Sequence, residues 1–371
     1  GYDVVESDVL VIGGGGAGTR AALAAGSEGV TVSLVLKGQV AHSGVTPLAG
    51  SGYQVVLGVE RNGDNPQVAF EDTVREGRFL GDENLVRVLA NEAREYVPTL
   101  QSHGLKLARE ASGELRRVQQ PGQSFPRNVF MMGSGYAMMV ALRRELRQHD
   151  EIKAYEDHYA TALLAHEGRV CCAVTLDHRR GGITVFQANA VVLATGGYEQ
   201  LLEFTDTEPG STGDGAMLAF HAGAHLVDLE MLLFYPTCLV WPQEIAAATI
   251  GYETLLNPQR VGGTLRNALG DQMVPNAQYP DVPPPRDVLT RLMFREAEEG
   301  RATPRGGLLI DLATIARSPE KASAIRSLDS VFFTTLRNLG LDVTTMPIEV
   351  RPALHHCLGG VRINERCETG V

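Results

Sequence analysis

Glycines 13, 15 and 18, in the stretch VIGGGGAG, carry the G-x-G-x-x-G spacing that lets backbone approach a phosphate. They follow an apolar run at residues 8–12 and lead into a helix-forming run at 17–25, with a second β-branched run at 31–36. The implied βαβ unit uses its glycines for a tight turn, for close approach to a pyrophosphate and for close helix packing. The helix N-terminus adds positive partial charge. Other stretches also hold side chains capable of chemistry. LHHCLGG sets His355, His356 and Cys357 in a row. Extended backbone sends successive side chains to opposite faces, so these three are expected to diverge rather than share a metal ion. PRDVLTR puts Arg286 beside Asp287, which on residue types alone reads as an ion pair at a helix start. STGDGAM reads as another helix start, with Asp214 as its N-cap.

The elements that must position these residues follow from pattern. AVVLATGG, residues 190–197, is a buried strand running into a Gly-Gly turn, a second mark of a dinucleotide fold. The carboxylate that an NAD fold places at the end of its second strand is missing, because that strand ends Leu36-Lys37; FAD is the better match. Residues 65–103 are helical and charged with Gly104 as a stop, 122–127 form a loop, and 134–148 form another helix. Two or three strands follow, with a hairpin turn at Gly181-Gly182. Composition shifts near Tyr235, and prolines at 275–285 frame an inserted section running to about Pro352.

Composition bounds the function. The 371 residues carry a net charge of −11 without clustered Lys and Arg, which argues against nucleic acid as a partner. The longest apolar stretch near the start, 9–26, is broken by Arg20 and glycines, so no direct membrane span is expected and the chain is placed in a soluble, cytoplasmic compartment. Cys171, Cys172, Cys238, Cys357 and Cys367 form no C-x-x-C, so no metal centre is encoded here. Any metal redox centre is expected on another polypeptide.

Taken in order, DVLVIGGGGAGTRAAL, DTVREGRFLGDENLV, VVLATGG, STGDGAMLAFHAGAHLVDLEM, FYPT, PRDVLTRLMFREAEEGR and RPALHHCLGGVRIN resemble the flavoprotein subunits of succinate dehydrogenase and fumarate reductase, with L-aspartate oxidase as a relative. The resemblance covers nearly the whole chain. It implies an α/β fold: a Rossmann-like FAD-binding domain over 1–230 with a helical insertion at about 65–130, an inserted α+β capping (substrate) domain over 231–351, and a return to the first domain at 352–371.

The resemblance assigns FAD to Gly13, Gly15, Gly16, Ala17, Gly18, Lys37, Ser43, Gly44, Gly50, Thr195, Gly196 and Asp214. Residues 37–52 wrap the flavin, and a loop histidine, His42, stands near the position that carries a covalent flavin bond in the family. The implied chemistry is hydride exchange between flavin and an organic acid, with Arg286 as proton donor, Glu253 as its relay and His355 holding a substrate carboxylate. Arginine normally keeps its proton, so the implied role is to pass one on while the carboxylate refills it. Two positions depart from the family: Tyr235 stands where its F-H-P-T has histidine, and Tyr252 where its T-E-x-x-R-G has threonine. Arg260 lies seven residues past Glu253 instead of three. Tyr235 and Tyr252, expected to orient substrate but equally readable as core tyrosines with satisfied hydroxyls, remove charge complementarity for a small dianion and add apolar surface. Two alternatives stand beside this: an amino-acid oxidase like L-aspartate oxidase, and a flavin electron-transfer subunit with no dicarboxylate turnover. The resemblance also implies an iron–sulfur partner subunit, through which the chain would be peripheral to a membrane. Because the family's flavin site continues past its Gly-Gly turn, a further polypeptide or segment is expected to complete it.

Overall fold

The structure, a computed structural model, describes residues 1–371 apart from 51, 58–62, 121, 275–278, 280, 282, 327 and 329–330, and apart from the side chains of 331 and 332. Most of the proline stretch expected at 275–285, and residue 51 of the expected flavin-wrapping segment, lie outside the described residues. The chain divides into two compact units. One comprises Gly1–Glu203, Thr207–Met231 and Cys357–Val371; the other comprises Phe204–Asp206 and Leu232–His356.

The first unit is built on the expected βαβ. β1 (Asp3–Ile12) leads through the glycine turn into α1 (Gly16–Ser27) and on to β2 (Val32–Val35), which pairs parallel to β1. All four residues of β2 are buried, as an apolar strand covered on both faces must be. A short β3 (Gly52–Gln54) precedes the charged helical stretch: α2 (Pro66–Glu76), α3 (Glu83–Glu92) and α4 (Tyr96–Ser102). The Asn65 and Asp82 side chains accept the first amides of α2 and α3, and Gly104 at φ +100° follows α4 as expected. β4 (Arg117–Val118) and β5 (Asn128–Phe130) complete a small sheet with β3, and α5 (Ser134–Leu146) ends within a turn of the expected boundary.

β6 (Ile152–Tyr155) joins β2, and β7 (His158–His166), β8 (Arg169–Asp177) and β9 (Gly182–Leu193) form an antiparallel meander with Gly181 in its second turn. The sheet order is β6-β2-β1-β9-β8-β7. β1 starts earlier than residue 8 because β9 is long enough to pair its whole length, from Asp3 with Thr184 to Ile12 with Leu193. α6 (Asp214–His221), β10 (Leu226–Val227) and β15 (Gly360–Val361) close this unit.

The second unit is a four-stranded sheet in the order β11-β14-β13-β12: β11 (Leu232–Leu239), β12 (Thr264–Arg266), β13 (Leu308–Asp311) and β14 (Ile348–Cys357). The helices are α7 (Tyr252–Leu255), α8 (Arg286–Glu298), α9 (Pro319–Arg326) and α10 (Val331–Asn338). Leu289 and Met293, one turn apart on α8, are buried with Cys238 and Leu239 of β11, Ile310 and Val350 in one apolar cluster. Pro352, the expected point of return, lies inside β14. Phe204–Asp206 belongs to this unit because Thr205 bridges in parallel to Leu354 of β14.

Candidate active site

The glycine turn is built as its sequence demands. Gly13 has φ +115°, and a Cβ there would lie 2.1 Å from the Ala194 carbonyl oxygen; one at Gly18 would lie 1.8 Å from the Gly13 carbonyl. These two glycines serve packing. Gly15 does not: it is the N-cap of α1 with φ −73°, and a Cβ on it would meet nothing closer than Thr46 Oγ1 at 3.8 Å. The helix start has no side-chain cap and no acidic residue in its first turn. An open glycine at a helix N-terminus that lacks an N-cap side chain offers donors to a pyrophosphate, so these residues fit the dinucleotide. Thr46, which the sequence did not single out, accepts the Gly16 amide at 3.1 Å. Gly44, at φ +89°, brings the following loop to within 3.6 Å of Gly15 Cα, measured from a Cβ placed on it. Ser43 Oγ holds the Gln39 amide, and His42 Nε2 is 3.1 Å from Arg143 Nη1. Ala17 is exposed, Gly50 and Gly196 have open space where a Cβ would lie, and Thr195 packs on Gly215.

Asp214 is not the N-cap expected of it. Gly213, at φ +80°, takes that place, and Asp214 is the first residue of α6. Its carboxylate instead accepts from Lys37 Nζ at 2.5 Å, Thr212 Oγ1 at 2.8 Å and Tyr159 Oη at 2.8 Å. Burial raises its pKa, but the hydrogen bonds from Lys37, Thr212 and Tyr159 outweigh that and hold it below the usual carboxylate value. Lys37 and Asp214, far apart in sequence, thus form one polar cluster in the first unit, with Thr212 and Tyr159 as unforeseen further members.

In the second unit, β11, α7, α8 and β14 bring the expected catalytic residues together. Arg286, the first residue of α8, sets Nη2 3.3 Å from Glu253 Oε1, and the Tyr235 hydroxyl donates to Glu253 Oε2 at 2.7 Å. The Arg286 guanidinium lies 4.9 Å from the Tyr235 ring centroid. The helix-start pairing expected with Asp287 is instead made by Arg291, at 2.9 Å. Tyr235 was expected to orient substrate; its donor is spent on Glu253. Burial first, and the Glu253 charge next, push its phenol well above the ordinary value, so it holds its proton. Tyr252 is a core tyrosine. It has 0% exposed surface and its hydroxyl has no hydrogen-bond partner of ordinary geometry among the described residues, so it backs Tyr235, at 5.9 Å between centroids, instead of facing a ligand.

His355 is half-buried and its Nδ1 lies 2.8 Å from Asp206 Oδ2, with the Tyr235 ring 5.4 Å away. The divergence expected of His355 and His356 is overturned: their ring centroids are 4.0 Å apart, close enough to stack at a tilt. Burial, then the neighbouring His355 and Arg286, lower the His356 pKa to about 4, so it is neutral at pH 7. Among the described residues, no three His, Cys, Asp or Glu side chains group to hold a metal ion. No described helix is long and apolar enough to cross a membrane. Asp206 is invisible in the sequence, because nothing local marks a threonine-flanked aspartate as a partner for a residue on β14.

A mixed sheet with parallel β6, β2, β1 and β9, and a glycine turn leading into a helix, form a dinucleotide-binding fold. The chain belongs to the FAD binding domain family, which matches residues 8–370, and its cofactor is FAD. It is 32% identical over 370 residues to a fumarate reductase (CoM/CoB) subunit of Methanothermobacter marburgensis, covering 100% of this chain and 66% of that protein. It is 28% identical to the L-aspartate oxidase of Vibrio cholerae, covering 99% of this chain and 67% of that one. Among solved structures, the Sdh1 complex of Mycobacterium smegmatis superposes with a TM-score of 0.85 at 28% identity, over 98% of this chain and 61% of that chain. The chain thus spans somewhat less than two thirds of several relatives it matches.

Proposed function

We propose that this chain is an FAD-dependent oxidoreductase of the fumarate reductase and succinate dehydrogenase type, acting on an activated carbon–carbon bond of an organic acid. The observation that carries this is the Arg286–Glu253 ion pair, 3.3 Å long and flanked by Tyr235 and His355, in a chain of the FAD binding domain family. Bound FAD supplies hydride exchange at its ring, with Gly15 and the start of α1 holding the pyrophosphate and the Lys37–Asp214 cluster near the nucleoside half.

The chain's own residues handle the proton and the acid. Arg286 gives a proton to the carbon adjacent to the one that accepts hydride, and Glu253 returns one to it. Tyr235 keeps its own proton and donates a hydrogen bond to Glu253, fixing that carboxylate under the guanidinium. His355 holds a substrate carboxylate. Arg286 with Glu253, and His355 with Asp206, each pair a potential cation with an acid. That favours a substrate with less negative charge than a small dicarboxylate, unless a further segment adds a cation. An electron-transfer partner carrying iron–sulfur clusters belongs to this reading, supported by relatives that are themselves named as subunits.

The completing segment or polypeptide has a specific support. β8 pairs only with residues 182–187 of β9, so the edge of β9 beyond Gln187, away from β1, has no strand beside it among the described residues. Val192, Met217 and Phe220 are exposed nearby in sequence or on α6.

The test is reoxidation of chemically reduced flavin in the purified holoprotein by a panel of unsaturated mono- and dicarboxylic acids. Oxidation by at least one acid, lost in Arg286→Gln with the flavin spectrum intact, is expected. Full turnover in Arg286→Gln removes that residue from its role. Peroxide formed from an amino acid selects the L-aspartate-oxidase-like alternative, and reoxidation by an electron partner but by no acid selects the electron-transfer one.

A further inference from the structure

We propose that Asp206 is the positioning residue of His355, a role that rests on the proposed function for its catalytic consequence but not for its structural content. Among the described residues up to Met231, only Phe204–Asp206 joins the second unit. What the excursion achieves is legible in its bonds. Thr205 bridges to Leu354, its hydroxyl donates to the Leu354 carbonyl at 2.8 Å, and the Leu354 amide donates to the Phe204 carbonyl at 3.1 Å. The Arg351 guanidinium covers the Phe204 ring at 3.8 Å. These contacts pin three residues against the very strand that carries His355, one position past Leu354.

The result is a buried carboxylate aimed at one imidazole. Asp206 has a side chain only 4% exposed, and its Oδ1 is buried with no hydrogen-bond partner among the described residues. Its only described side-chain hydrogen bond is the one to His355 Nδ1 at 2.8 Å. A carboxylate held that deeply accepts a proton-bearing nitrogen far better than a bare one, so Nδ1 carries hydrogen and Nε2 is the nitrogen left for a ligand; to donate to a substrate carboxylate Nε2 must carry hydrogen as well, which makes the ring an imidazolium paired with Asp206. The ring is held besides by His356 at 4.0 Å and Tyr235 at 5.4 Å, which limit its rotation. Asp206 therefore fixes Nδ1 as a donor and sets the orientation of His355, as an acidic partner does for a histidine whose other nitrogen meets a ligand.

Two readouts on the full-length holoprotein test this. Imidazole nitrogen NMR of histidine-labelled protein, with His355 assigned by its loss in His355→Gln, should show a protonated Nδ1 in the wild type and a redistributed ring signal in Asp206→Ala. A bare Nδ1 in the wild type overturns the proposal, and this result needs no variant of Asp206 to fold. Kinetically, Asp206→Ala should lower kcat on whichever unsaturated acid turns over by roughly 10–100-fold, by analogy with a metal-bound histidine that loses its outer partner. Flavin content should not change. Asp206→Asn, which keeps a carbonyl acceptor, should retain more activity. The double variant Asp206→Ala with His355→Gln should be no slower than His355→Gln alone. Multiplying losses would show that Asp206 acts elsewhere. If no acid turns over at all, the proposed function fails while the NMR result still decides the pairing.

Discussion

The Tyr235 hydroxyl donates to Glu253 Oε2 at 2.7 Å while Arg286 reaches the other oxygen of the same carboxylate, so one acid is held between a phenol and a guanidinium. A hydrogen bond to a charged group contributes about 1.5–3 kcal/mol. If that bond serves to hold Glu253 under Arg286, Tyr235→Phe should cost about tenfold or more in kcat, with flavin content unchanged. Steady-state rates on a responsive acid, with flavin absorbance as control, make the check. An unchanged kcat would mean the phenol is only packing.

Gly15 separates ligand binding from folding. Its φ of −73° suits alanine, and a Cβ there has space. Gly15→Ala should therefore fold with a near-normal melting temperature when flavin-free variant and flavin-free wild type are compared, yet bind FAD weakly, because the methyl would occupy the proposed path of the pyrophosphate. Gly18→Ala, whose Cβ would strike the Gly13 carbonyl, should lose stability as well. Flavin absorbance per protein and thermal unfolding distinguish the two. Normal flavin content in Gly15→Ala would argue against a phosphate at this turn.

What the sequence made legible follows from the range of the forces involved. The βαβ unit, the meander and the stop at Gly104 are local, written in apolar period and in glycine positions that tolerate φ above zero. The gathering of Arg286, Glu253, Tyr235 and His355 was legible only through the family's order of segments, not through spacing, since four separate elements supply them. Asp206, Thr46 and Tyr159 were illegible for a different reason. Each acts on a residue distant in sequence, across a bond that only the folded chain creates. The stacking of His355 on His356 shows the limit of strand alternation: it governs where Cβ atoms start, while ring torsions bring the two imidazoles back together.

Arg127 tests the frame that supports the helical insertion. It is about as buried as the two carboxylates it holds, Asp64 at 2.7 Å and Asp72 at 2.6 Å, and Asp72 also accepts from Ser124. Removing the cation strands two buried charges, so Arg127→Met should destabilise by about 3–5 kcal/mol. Urea unfolding read by circular dichroism measures this. A loss below about 1 kcal/mol would mean that water reaches the pair once the guanidinium is gone.

His356 makes the fold acid-sensitive in a window that can be stated with its sign. In the native protein its pKa lies at about 4, lowered first by burial and then by His355 and Arg286, against an opposing pull from Asp206; the reference imidazole value is 6.5. Between these values the unfolded chain binds a proton that the native chain refuses. The native state is thus fully favoured above pH 6.5 and loses that advantage as pH falls towards about 4. In His356→Tyr, which places an uncharged ring at the same point, this loss disappears. The stability difference between variant and wild type should therefore shift in favour of the variant as pH is lowered from about 7 to about 4.5. Chemical unfolding at each pH supplies the comparison. A difference that stays flat across the window would show that the His356 ring takes up its proton without leaving its place beside His355.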